Sequence, residues 1–149
     1  MKRYIGTKII EAEPLTLGDY NLYRGWQIPA DEDPTEKGYL VKYSDGYESW
    51  SPLKQFEEAY RRCDNMPFGL AIEAMKKGKK VARIGWNGKN QYIQLATGIS
   101  YKTAAGKIIN CEHEAIGNKA IAFVGTSGVQ MGWLASQADM LADDWVIVE

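Results

Sequence analysis

Histidine occurs once in the 149 residues, at His113, and cysteine twice, at Cys63 and Cys111. Any Ser-His-Asp or Cys-His chemistry would have to run through that single imidazole, and no G-x-S-x-G elbow frames a serine. His113 therefore reads as a surface histidine, and no catalytic residue is expected. The cysteines are isolated from each other, which excludes a C-x-x-C metal or redox pair and the disulfide framework of a small secreted domain. No bound metal is expected. Neither sign of charge is in excess: 18 Lys and Arg stand against 19 Asp and Glu, a formal net charge of −1. Proteins that coat nucleic acid carry a cationic surplus to replace counterions on phosphates, so a nucleic-acid polymer is not the expected partner. No apolar run approaches the roughly 20 residues of a membrane span, and no signal-peptide core follows Met1-Lys2-Arg3. The expected location is cytoplasmic, away from membranes.

Aromatic residues are plentiful, with 5 Trp and 9 Tyr. Such rings either fill a core or offer flat faces to bases and other planar ligands. The first segment, Tyr4 to Ala12, is rich in β-branched residues and reads as a strand. Thr16 is placed to cap a short helix through Leu17 to Tyr23 that Gly25 closes, and Pro29 to Pro34 reads as an acidic loop. Tyr39–Tyr43 and Tyr47–Trp50 flank Ser44-Asp45-Gly46 as a hairpin. Ser51-Pro52 then reads as an N-cap followed by proline, opening a helix to about Arg61 with Leu53, Phe56 and Tyr60 on one stripe. A Pro-marked restart at Asn65-Met66-Pro67 separates this β-α-β-β-α unit, residues 1–62, from a second unit, residues 66–149.

The second unit opens with an amphipathic helix from Phe68 whose inner stripe is Phe68, Ala71, Ile72 and Met75, closed by Gly78. Strands over Lys80–Ile84 and Gln91–Leu95 flank a Gly85-Trp86-Asn87-Gly88 turn. Between residues 97 and 119 only a hairpin about Ala105-Gly106 is legible. Ala120–Val124 and Val129–Met131 form a further hairpin, followed by a short helix over Trp133–Leu141 and a last strand over Trp145–Val148. The fold class is α+β: antiparallel sheets with a few short helices in two small, closely packed domains.

Phosphate-cradling motifs are missing. Gly125-Thr126-Ser127-Gly128 lacks the lysine and the following helix of a P-loop, and there is no G-x-G-x-x-G, so no cofactor is expected. Asp139, Asp143 and Asp144 lie close in sequence, but carboxylates at a helix terminus serve as caps as readily as they serve acid-base chemistry. Trp86 is more specific. Any one tryptophan beside a turn is more often core than site, yet here Asn87 adds an amide able to pair with a base edge, and Lys80, Arg83 and Lys89 supply cations. Trp133, Ser136 and Asp139 recur at a spacing of three, which would aim them in one direction along a helix.

Two stretches carry a family resemblance: Phe68-Gly69-Leu70-Ala71-Ile72-Glu73-Ala74-Met75-Lys76-Lys77-Gly78-Lys79-Lys80-Val81-Ala82-Arg83-Ile84-Gly85-Trp86-Asn87-Gly88-Lys89, and Trp133-Leu134-Ala135-Ser136-Gln137-Ala138-Asp139-Met140-Leu141-Ala142-Asp143-Asp144-Trp145. Over residues 66–149 the chain resembles the phage Thoeris anti-defence sponge family of the second type. Residues 1–62 are similar to another small tailed-phage domain without a settled role, through Arg24-Gly25-Trp26 and Gly46-Tyr47-Glu48-Ser49-Trp50-Ser51-Pro52. The resemblance implies a non-catalytic phage protein, acting in the cytoplasm of an infected bacterium, that sequesters glycocyclic ADP-ribose signals. Some members also take the cyclic oligonucleotides of CBASS. It further implies a homo-oligomer, a tetramer in known members, with pockets between chains. On that reading Phe68, Trp86 and Trp133 would stack on the ligand. Asn87, Ser136 and Asp139 would hydrogen-bond its base or ribose, and Arg83 or Lys89 would meet phosphate. Two departures stand out: Gly132 where members often have proline, and an apolar Ala120-Ile121-Ala122-Phe123 where they are often more polar.

Two other functions fit the same residues. One is a protein-binding inhibitor of a host enzyme, anchored by Trp26, Tyr47 and Trp50. The other is an enzyme degrading the same signals through a carboxylate such as Asp139.

Overall fold

The structure, a computed structural model, describes residues 1–86, 90–110 and 119–149. It divides into two compact units, Met1–Arg61 and Arg62–Glu149. Each is α+β with antiparallel strands, as the residue patterning implies.

The first unit runs β1 (Glu11–Pro14), α1 (Leu17–Arg24), β2 (Gly38–Lys42), β3 (Glu48–Pro52) and α2 (Leu53–Ala59). Its sheet has the order β1-β2-β3. Helix α1 starts where the Thr16 hydroxyl accepts the Asp19 amide at 3.2 Å, and stops where Gly25 turns left-handed at φ 73°. Both signals lie within the helix's own sequence. The core gathers on Val41 and Tyr20, with the Trp50 indole N–H donating to the Leu15 carbonyl at 2.8 Å and Tyr39 stacked on Phe56 at 3.9 Å. Gly38 lies under Trp50, where an added Cβ would collide with the indole ring and the Ser51 carbonyl.

Three boundaries depart from the sequence-based expectation. The first strand is Glu11–Pro14 rather than Tyr4–Ala12. Glu11 pairs with Lys42, the last residue of β2, so earlier residues run past the end of their neighbour. Ser51 is a strand residue paired with Tyr39, not an N-cap. Pro52 occupies the cap position without a side-chain bond, and the first helical amide, Leu53 N–H, donates to the Lys37 carbonyl at 3.1 Å. Helix α2 ends at Ala59, short of Arg61.

The second unit contains α3 (Phe68–Lys76), β4 (Lys80–Arg83), β5 (Tyr92–Ala96), β6 (Ser100–Lys102), β7 (Ile108–Asn110), β8 (Ala120–Gly125), β9 (Gly128–Met131), α4 (Gln137–Leu141) and β10 (Trp145–Val148). Five strands form one sheet in the order β10-β4-β5-β8-β9, and β6-β7 is a separate hairpin. Helix α3 lays Ala71, Ala74 and Met75 onto Val81, Ile93 and Trp145. Met66 bridges to Trp145 through both backbone bonds, 2.8 and 3.1 Å, which ties the entry of α3 to the last strand. The remaining correction concerns α4. It begins at Gln137, not Trp133, because Gly132 and Trp133 amides both donate to the Ile121 carbonyl and hold that stretch against β8. Among the described residues no helix is long and apolar enough to cross a membrane.

Candidate functional site

Five aromatic rings meet at one end of the second unit. Trp145 is completely buried, placed by its pairing with Arg83 across β10 and β4. Trp86, at the end of the turn that leaves β4, packs edge-on to it with ring centres 5.4 Å apart. Trp133 meets Trp145 at 6.2 Å and Trp86 at 6.1 Å, both edge to face. Phe68 and Phe123 complete the group, 5.2 Å from Trp145 and 5.6 Å from Trp86 respectively. Neither Trp86 nor Trp133 is fully buried, so part of each indole is open to solvent.

A small cleft of about 150 Å³ opens there, lined by Trp86, Gln91, Phe123, Trp133 and Asp139. One side is aromatic and the other polar. Asp139 is held from several directions. Its Oδ2 accepts the Ser136 amide at 2.9 Å while the Ser136 hydroxyl accepts the Asp139 amide at 3.0 Å, a reciprocal capping box. Its Oδ1 accepts Arg83 Nη1–H at 2.9 Å, and Arg83 Nε–H donates to Asp144 Oδ1 at 2.9 Å. The Asp139 backbone carbonyl accepts the buried Trp145 indole N–H at 2.9 Å. Burial works to raise the Asp139 pKa, but the Ser136 amide, the Arg83 guanidinium and the Ser136 side chain together outweigh it. The carboxyl titrates below its ordinary value. Arg83 is pushed up by its bonds to Asp144 and then Asp139.

Of the sequence-selected residues, Trp86, Trp133 and Asp139 line the cleft directly. Phe68 stands behind them against Trp133 and Trp145, Ser136 caps α4 at its margin, and Arg83 lies beneath, bonded to two carboxylates. The spacing of three that would aim Trp133, Ser136 and Asp139 along a helix is replaced by a different geometry, since only Asp139 is helical. Asn87 and Lys89 lie outside the described residues, as do Cys111 and His113. Trp145, Gln91 and Phe123 are not site candidates from sequence, and Asp144 is one only as a member of the Asp139, Asp143 and Asp144 carboxylate group. The contact of Asp144 with Arg83 comes from the joining of β10 to β4, which sets Trp145 opposite Arg83 and the Asp144 carbonyl against the Ile84 amide. Among the described residues no group of three or more His, Cys, Asp or Glu is placed to hold a metal ion.

In the first unit, Trp26 and Tyr47 are exposed but Trp50 is not, its indole being committed to Leu15. A surface anchored there would have to do without Trp50. Gly132 has φ 84°, a conformation closed to proline, so the approach to Trp133 differs from that of any chain with proline at this position.

Fold and cleft together define a small α+β module whose sheet end carries an aromatic-walled, acid-edged recess. Residues 66–148 match the Thoeris anti-defense 2-like domain model, and the chain belongs to that family. It is 40% identical over 88 residues to Thoeris anti-defense 2 of Bacillus phage SP01, an alignment covering 56% of this chain and 94% of that protein. Residues preceding the match have no assignment from either comparison.

Proposed function

We propose that this protein binds and withholds a nucleotide-derived immune signal in an infected bacterium, without cleaving it. Glycocyclic ADP-ribose is the leading candidate and a cyclic oligonucleotide the second. The observation that carries the reading is the recess itself. Trp86 and Trp133 present incompletely buried indoles beside the Asp139 carboxylate, within the portion that matches the anti-defense family. Stacking on such rings contributes roughly 1–3 kcal/mol per base. A carboxylate has lone pairs for about four donors, so Asp139 retains acceptor capacity for a ribose hydroxyl or a base amino group beyond its bonds to Arg83 and Ser136.

Size points to oligomerisation. Small-molecule sites run from about 300 to 1,000 Å³, and the recess in one chain is about 150 Å³. A second copy, in a dimer or tetramer, would supply the missing wall and the enclosure that tight retention requires. Nanomolar withholding corresponds to about −12 kcal/mol, more than one open recess supplies. In this proposal Arg83 positions Asp139 and Asp144 rather than serving as a loose cation, and Lys89 or the second copy meets phosphate. The cleavage reading has less support, because Asp139 is held ionised and tethered, unsuited to protonating a leaving group at neutral pH.

Purified protein is incubated with a panel of glycocyclic ADP-ribose isomers and cyclic oligonucleotides and filtered free of unbound ligand. It is then heat-denatured, and the released species are identified by mass spectrometry. Unchanged ligand in stoichiometric amount is the expected result. Altered ligand would replace sequestration by turnover, and retention of nothing would turn attention to a protein partner.

A further inference from the structure

Residues 1–10 join no strand of the first unit, and touch it through the Lys8 ammonium, 5.2 Å over the Tyr43 ring, and the half-buried Ile10. Tyr4, Ile5 and Ile9 are 91%, 94% and 40% exposed, and the segment has no strand partner. Its composition is that of a strand, Tyr4-Ile5-Gly6-Thr7-Lys8-Ile9-Ile10, and it leads straight into β1. The register explains why it stays unpaired. Glu11 is opposite Lys42, after which β2 enters the hairpin turn closed by Gly46, so the chain before Glu11 overruns its neighbour. β1 is also an edge, with its outer side unoccupied in the order β1-β2-β3. β1 itself is short and guarded by Glu11, Glu13 and Pro14, whereas the apolar, β-branched extension before it lacks such guards, and an extended apolar segment with open backbone groups is a template for another chain.

We propose that this edge pairs antiparallel with the same edge of a second copy, about a two-fold axis at Thr7, joining two three-stranded sheets into one of six strands. The sequence is self-complementary in that register. With Thr7 opposite Thr7, Ile5 faces Ile9, Tyr4 faces Ile10, Gly6 faces Lys8 and Arg3 faces Glu11, and each pair occurs twice. Aromatic against β-branched and opposite charge against opposite charge are the favourable cross-strand pairs. Centring one residue later sets Lys8 against Lys8 and Ile5 against Glu11. Centring one residue earlier sets Arg3 against Ile9 and Tyr4 against Lys8. Only the Thr7 register matches apolar with apolar and cation with anion. Gly6 is not in a left-handed conformation, and an added side chain there would meet nothing, so the extended geometry is open to it. The interface belongs to residues 1–14 and is separate from any contact that completes the recess of the second unit.

The geometry is tested by cross-linking the full chain in a Cys63→Ser, Cys111→Ser background. Directly opposed residues of an antiparallel pair have Cα atoms about 4.5–5.5 Å apart, within disulfide reach. Thr7→Cys should give a disulfide-linked dimer on mild oxidation. Arg3→Cys and Glu11→Cys should each stay unlinked alone and link when the two proteins are mixed. Adding Ile5→Pro to the Thr7→Cys chain should lower the yield at least tenfold, with ligand retention by the second unit unchanged. Failure of Thr7→Cys to link would overturn the proposal. So would linking no greater than that of Tyr47→Cys, an exposed control off the axis, or a yield indifferent to Ile5→Pro.

Discussion

Arg83 Nη1 lies 2.9 Å from Asp139 Oδ1, and the two residues are 56 positions apart in the chain. The pair joins β4 to α4 directly beneath the two tryptophans of the recess. Their side chains are 23% and 15% exposed, so water screens the attraction only in part. The same guanidinium reaches Asp144, and the same carboxylate caps α4, so one ion pair sets the position of three elements.

Asp139→Ala removes the carboxylate half of the capping box, leaving the Ser136 hydroxyl cap in place, and leaves Arg83 with one carboxylate. Loss of the hydrogen bond to the Ser136 amide costs about 1 kcal/mol, and removing one member of a hydrogen-bonded charged pair costs about 1.5–3 kcal/mol. Denaturant unfolding should therefore show the second unit about 2–4 kcal/mol less stable. Asp139→Asn keeps an oxygen for the Ser136 amide and should lose clearly less. Equal losses in the two variants would mean that the charge accounts for the whole effect and the bond to the Ser136 amide for none of it.

Acid should expose the same group. The folded Asp139 pKa is depressed, so its stabilising contribution is fully present above the ordinary carboxylate value of about 4. It is lost as pH falls from there through the lower folded value, because the unfolded chain takes up the proton first. Arg83 has a raised pKa, so its contribution is constant at every pH below its ordinary value and does not shape this limb. Melting temperatures from pH 7 to pH 3 should fall more steeply for the wild type than for Asp139→Asn, and the two curves should converge at the acid end.

The elements legible in the sequence are those whose signals are local. Thr16 and Gly25 bound α1, and Gly46, Gly106 and Gly128 sit in hairpin turns with positive φ. Trp86, Trp133 and Asp139 were legible as site candidates because each stands out in type from its neighbours. What sequence does not give is the partners, which depend on pairing. Asp144 reaches Arg83 across 61 positions, and Trp145 is buried because β10 adds to β4 rather than to β9. The first strand was overextended for the same reason: β-propensity runs from Tyr4, but a strand needs a neighbour, and β2 ends at Lys42. Ser51 has the side chain of a cap and the position of a ladder residue, and the ladder with Tyr39 prevails.

Gly38→Ala should be among the most damaging single-methyl changes in the first unit. The new Cβ would meet the Trp50 ring and the Ser51 carbonyl, and neither is free, since Trp50 is bonded to Leu15 and Ser51 sits in the β2-β3 ladder. Overpacking of this kind costs about 1–3 kcal/mol. Hydrogen exchange should quicken across residues 38–52. Gly46→Ala, at a left-handed position with open space around it, should cost only the conformational strain of about 1–2 kcal/mol.

Trp86 and Trp145 are in edge contact but should answer to different assays. Trp145 is fully buried with its N–H bonded to Asp139, so Trp145→Ala removes a large core side chain and should destabilise the second unit by about 3–5 kcal/mol. Trp86 lines the recess and is only half-buried. Trp86→Leu keeps some apolar bulk against Phe123 while deleting the stacking face, so the loss of stability should stay below that of Trp145→Ala. On the proposed function, retention of the nucleotide signal should weaken about 10- to 100-fold, the equivalent of one lost base stack. Tryptophan fluorescence reports both events, since ligand stacked on Trp86 should quench part of the emission and Trp86→Leu should remove that response. A variant that keeps full retention would take Trp86 out of the site and return it to the core.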